Sequence, residues 1–193
     1  MKTLVRLVTV SLLLSLPASA MIFVKIPGMG DSSVQVKGYD NGEWFIADSF
    51  SFGVERTLPE SGEKGGTEDI NIGVGELQEC TISKSMDTAS ARLMQFAING
   101  NSCGVAEIHF VELAAGGDGD PVVYLKYKLD RCFVKSWSTS GDADDRPTEE
   151  VAFYYNRIGF LYIDPSSPKP EEDGLATWDR VSNKPWSGHG LSP

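Results

Sequence analysis

The sequence is poor in the residues that most protein chemistry needs. It carries two histidines, His109 and His189, and three cysteines, Cys80, Cys103 and Cys132. A zinc site draws three or four His, Cys or carboxylate ligands at close spacing, and these five residues form no such cluster. Basic residues are also few: 17 Lys and Arg stand against 27 Asp and Glu, a net charge of −10. A surface of that sign repels phosphate backbones, which argues against nucleic acid as a partner. Beyond the leader described next, no apolar run is long enough to span a bilayer. Neither metal nor organic cofactor is expected.

What is present begins with the pattern of a secretory leader. Lys2 and Arg6 supply a basic start, and residues 7–16 an apolar run broken only by Thr9, Ser11 and Ser15. Ala18-Ser19-Ala20 has the small residues of a cleavage site, so residues 1–20 read as a signal peptide and the mature chain begins at Met21. The expected location is periplasmic or extracellular. Were Met21 the true start, the chain would be cytoplasmic before secretion.

After Met21 the chain reads as short strands. Residues 22–26 are β-rich and stop at Pro27-Gly28. In residues 44–54, Trp44, Ile46, Phe50, Phe52 and Val54 alternate with small residues, and Asp48 interrupts the dry face. Residues 58–69 are polar and without period, a long loop. A further strand is expected over 76–85. One helix follows, with Asp87 as its N-cap, Leu93, Phe96 and Ala97 on one face, and Asn99-Gly100 as its stop. Residues 105–113 and 122–134 form a hairpin about a glycine-rich turn, and 151–163 the last strand run. The reading is mainly β: a small closed β-barrel with one flanking α-helix and a long extended loop, because closure removes exposed edges. The barrel domain spans 21–165, and a Pro-rich segment, 166–193, is held in part by Trp178.

Several chemical patterns dissolve on inspection. Gly100-Asn101-Ser102-Cys103-Gly104 matches the hydrolase nucleophile elbow, but that elbow needs a strand before the serine and a helix after it, and here the order is reversed. His109 sits mid-strand as an ordinary strand residue. Asp142, Asp144 and Asp145, like Asp118 and Asp120, form no complete calcium loop and read as solvated turns.

The cysteines allow a sharper expectation. If the hairpin is symmetric about the 117–118 link, Ile108 faces Tyr127 and Phe110 faces Leu125 on an apolar side. The other side pairs Glu107 with Lys128 and sets Cys103 opposite Cys132. Opposed strand residues lie within disulfide range, so a Cys103–Cys132 bond is expected with Cys80 free.

Taken in order, these pieces resemble the haemolysin-coregulated (Hcp) proteins, the tube components of type VI secretion. The resemblance rests on the opening strand MIFVKI at 21–26, the aromatic pair in DSFSFG at 48–53, the passage SKSMDTAS at 83–90, EEVAF at 149–153, and Trp178-Asp179. It implies a non-enzymatic subunit that assembles with itself as a hexameric ring, rings that stack into a tube, and carriage of effectors in the lumen. Secretion-apparatus components are the other implied partners. The long loop, with Leu58, Pro59, Glu60, Glu63, Lys64 and Thr67, is then the candidate arm that contacts a neighbouring subunit. One feature departs from the family: its typical members lack a cleavable leader. The competing reading is an exported, monomeric, lipocalin-like ligand-binding barrel, which requires a wide apolar interior.

Overall fold

The computed structural model describes residues 19–56, 75–113, 120–164, 167–169 and 173–193. Residues 1–18, the candidate arm within 57–74 and the glycine-rich turn lie outside the described residues.

The hairpin organises the fold. Strand β7 (Ser102–Leu113) pairs antiparallel with β8 (Val122–Ser140). From Val105–Asp130 to Phe110–Leu125 the register is the expected one, because it buries Ala106, Ile108 and Leu129 together. At Gly104 (φ +71°) and Arg131 (φ +51°) the two strands depart from regular geometry and the register shifts. The alternation of buried positions flips there on both strands, from Ala106 to Cys103 and from Leu129 to Cys132. Both cysteines therefore point into the core, not to the polar side where regular alternation places them.

Strand β8 is longer than expected and acts as a spine. Its first half also pairs with β10 (Arg157–Tyr162) and its second half with β9 (Thr148–Tyr154). The expected single strand over 151–163 is thus two strands, parted at Tyr155 and Asn156. The Tyr155 hydroxyl donates to the Gln78 carbonyl at 2.6 Å and the Asn156 carbonyl accepts from Arg180 N–H at 2.9 Å, contacts that take both residues out of the ladder.

Around the spine run β1 (Ser19–Lys25), β2 (Trp44–Ala47), β3 (Ser49–Ser51) and β6 (Cys80–Ser85). The sheet order is β2-β1-β7-β8-β9-β6-β3, with β10 branching from β8 and β11 (Leu175–Asp179) added to β10. The expected closed barrel is corrected here: among the described residues no ladder joins the end strands β2 and β3. They follow one another in the chain across Asp48, whose N–H donates to the Ser83 carbonyl at 2.8 Å. Asp48 also reverses the alternation. Phe45 and Ala47 enter the main core before it and Phe50 packs on that core after it, whereas Trp44 and Ile46 face a second cluster with Phe23, Tyr39 and Val111.

The helix α1 (Ser90–Asn99) ends as expected, Gly100 taking the left-handed conformation (φ +68°) and donating its N–H to the Phe96 carbonyl. Its N-cap is Ala89, not Asp87. Asp87 lies in the preceding turn and accepts the Ala89 N–H at 2.8 Å. Beyond β11, Trp186 is buried beside Gly159, and Thr177 donates to the Trp186 carbonyl at 3.1 Å. Among the described residues, no helix is long and apolar enough to cross a membrane.

Candidate functional site

The two-stranded ribbon of β4 (Val54–Arg56) and β5 (Gly75–Leu77) forms a sheet of its own and carries the chain into and out of residues 57–74. Leu58, Pro59, Glu60, Glu63, Lys64 and Thr67 thus fall outside the described residues, but their base is defined. Val54 on the ribbon is exposed. Beside it lies an apolar groove of about 400 Å³, lined by Phe52, Val54, Leu77, Tyr127, Phe160 and Trp178. Exposed apolar surface next to a separate two-stranded ribbon suits contact with another protein chain.

The nucleophile-elbow pattern does not form an elbow. Ser102 opens β7 directly after α1; its Oγ donates to the Cys132 carbonyl (3.3 Å) and accepts the Gly104 N–H (3.1 Å), so it serves the turn. Among the described residues no three His, Cys, Asp or Glu side chains stand together to hold a metal. The interior is filled: Phe45, Phe153, Leu129 and Ile108 are fully buried in one cluster, where a lipocalin-like barrel needs open space.

A buried charge node joins α1 to the sheet. The Lys84 ammonium, fully enclosed, donates to Glu149 Oε1 at 2.7 Å and to the Ser85 carbonyl at 2.9 Å, and lies 2.7 Å from Asp87 Oδ1. Ser90 Oγ donates to the same Glu149 oxygen at 2.9 Å, and Trp137 Nε1 to the other at 2.7 Å. Phe45 presents its ring face 5.5 Å from the ammonium. Every member is satisfied, which is the condition for a tolerable buried ion pair. The signal was in the alternation: Lys84 shares parity with Cys80 and Ile82, and Glu149 with Val151 and Phe153, all buried. Reading Lys84 only as part of a family motif missed the node.

His109 is less ordinary than mid-strand placement suggests. It is largely buried between Tyr39, whose hydroxyl lies 3.1 Å from Nδ1, and Trp44, with ring centroids 4.7 Å apart. Burial, helped by the positive charges of Lys126 and Lys25, lowers its pKa to about 4. The native ring is neutral where the unfolded one, with a pKa of about 6.5, takes a proton. Stability from this site is therefore complete above the unfolded value and is lost as pH falls towards the folded one. Between pH 7 and pH 4.5 urea denaturation should show a loss of about 2–3 kcal/mol from this site. The variant His109→Gln should remove that share of the slope; an unchanged pH dependence would exclude the assignment.

The sequence model of the family described as type VI secretion system effector, Hcp, matches residues 23–162. The chain belongs to the Hcp family. Solved structures agree with it in fold. A type six secretion system protein is 24% identical, with a TM-score of 0.67 over 86% of this chain and 99% of that one. Hcp1 from Salmonella typhimurium is 21% identical, with a TM-score of 0.62 over 86% of this chain and 99% of its own. The secreted protein Hcp3 from Pseudomonas aeruginosa is 14% identical, covering 84% of this chain and 98% of its own at a TM-score of 0.55. No curated protein matches the sequence. As an Hcp-family tube protein the chain has a structural and not an enzymatic role.

Proposed function

We propose that this chain is a ring-forming tube subunit that assembles with itself, most simply as a hexamer, and works after export through its leader. The family match across residues 23–162 carries the reading. A head-to-tail contact whose rotation closes makes a ring, and the ribbon of β4 and β5 offers residues 58–69 to a neighbour as an arm. The groove beside the ribbon supplies apolar area for the same contact. A ring lumen would be the place for effector cargo, with the secretion apparatus as the further partner.

Native mass spectrometry of the chain beginning at Met21 should show a hexamer. Only monomer at high micromolar concentration would overturn the ring. Deleting residues 59–67 should weaken assembly and leave the circular dichroism spectrum of the body unchanged. Mass spectrometry of protein recovered outside the cytoplasm should place the N-terminus at Met21; retention of residues 1–20 would remove the export claim.

A further inference from the structure

We propose that Cys103 and Cys132 are the site of an intrachain disulfide, with Cys103 the attacking sulfur, Cys132 the resolving one and Cys80 outside the reaction. The observation that carries it is the paired irregularity of the β7–β8 hairpin. Gly104 opposes Cys132, and the next pair outward is Ser102–Phe133, so Cys103 occupies the bulge between these two rungs. Gly104 and Arg131, both at positive φ, turn the two cysteine side chains into the core on the same side of the ladder. The thiols there are in hydrogen-bond contact with each other. All three cysteines are free thiols in this structure. A non-glycine residue at positive φ is uncommon, and here it serves the juxtaposition of the two sulfurs.

The environment distinguishes their roles. The hydrogen bond with Cys132 lowers the pKa of Cys103, against the effect of its burial, while the same bond and burial raise that of Cys132. Cys103, seated in the bulge and the more exposed of the two, is also the sulfur that an oxidant reaches first. Burial pushes the Cys80 thiol up to about 12, and it is hydrogen-bonded with Tyr155. An apolar, protonated thiol of this kind is a slow nucleophile.

The oxidant is a small-molecule disulfide such as oxidised glutathione. The Cys103 thiolate attacks one glutathione sulfur, the glutathione S–S bond breaks, and the first glutathione leaves as a thiolate that takes up the Cys103 proton. Cys132 then loses its proton as its sulfur attacks that of Cys103. The mixed disulfide breaks, the second glutathione leaves with that proton, and the Cys103–Cys132 bond remains. Two protein thiols are oxidised and one glutathione disulfide is reduced to two thiols. Both protein sulfurs are buried, Cys103 4% exposed and Cys132 0%, so exchange takes place while the bulge is open, during folding or local fluctuation. The bond would close a loop of about thirty residues across the hairpin.

The test refolds the reduced, full chain in glutathione buffer, alkylates it and maps its peptides without reduction. The expected product joins the Cys103 and Cys132 peptides and leaves Cys80 alkylated. The oxidised form should melt roughly 5–10 °C above the reduced form. Replacing Cys80 (Cys80→Ser) should leave the bridge in place, and Cys132→Ser should trap Cys103 as a glutathione adduct. Three alkylated thiols, or a bridge that includes Cys80, overturns the proposal. Should Cys132→Ser not fold, the map of the parent chain and of Cys80→Ser still decides. None of these results depends on ring assembly, so failure of the ring leaves this site standing.

Discussion

Replacing Lys84 with methionine should cost about 3–5 kcal/mol of stability, because it strands the Glu149 carboxylate in the core. Glu149 is only 2% exposed, and the loss of its cation leaves Ser90 and Trp137 as its remaining donors. Asp87 loses the same partner, and with it the turn that starts α1 loosens. For a chain of this size the thermal midpoint should fall by roughly 10 °C, followed by circular dichroism. Adding Glu149→Gln to Lys84→Met should recover part of the loss, since a neutral amide no longer demands a counter-charge. If Lys84→Met melts with the parent, the node is not holding the helix to the sheet.

A change of similar size is expected from Gly30→Ala. A Cβ built on Gly30 would stand 1.9 Å from the Gly42 carbonyl oxygen and 2.7 Å from Glu43 Cα. Backbone cannot yield there cheaply, because the Asp31 N–H donates to the Trp44 carbonyl at 2.9 Å and Trp44 is wedged against Tyr39 and His109. The loss should reach about 3 kcal/mol, with a changed near-ultraviolet circular dichroism signal from Trp44. Gly28→Ala is the control. Gly28, unlike Gly30, has positive φ, at +74°, but open space surrounds it, so only backbone strain of about 1 kcal/mol is at stake. Equal losses for the two variants would mean that the close approach at Gly30 plays no part.

The legible parts of this fold are those where neighbours in sequence decide. The register from Val105 to Phe110 follows from sorting apolar against polar pairs, and the end of α1 follows from Gly100. The illegible parts depend on strands distant in sequence. Nothing local to Phe45 says that Asp48 will reverse the alternation after it; the reversal follows from pairing β2 with β1 and β3 with β6. The apolar run through Tyr155 looks continuous until Gln78 and Arg180 draw its middle aside. The cysteine juxtaposition was legible only as nearness: Cys132 pairs with Gly104 and not with Cys103, and the direction of both side chains turns on positive φ at Arg131, which is not written in its side chain. The long loop over 58–69 follows from its polar, aperiodic composition, and only its role as an arm comes from the resemblance.

Strand β1 begins at Ser19, and its first two rungs, Ser19–Leu113 and Ala20–Glu112, lie on the leader side of the expected cut. Its partner β7 is synthesised far later, so β1 waits as an unpaired segment while the chain between them emerges. Forming this ladder means closing a long loop, which is slow compared with folding the local hairpin. With the leader cut as proposed, this delay would set a clock for processing. A peptidase that needs an extended, free backbone finds residues 19–20 open only until β7 arrives, after which the same bond is a rung of the sheet. Removal of the proposed leader and completion of the fold would then be competing rates, and holding the chain unfolded during transit would let the cut come first.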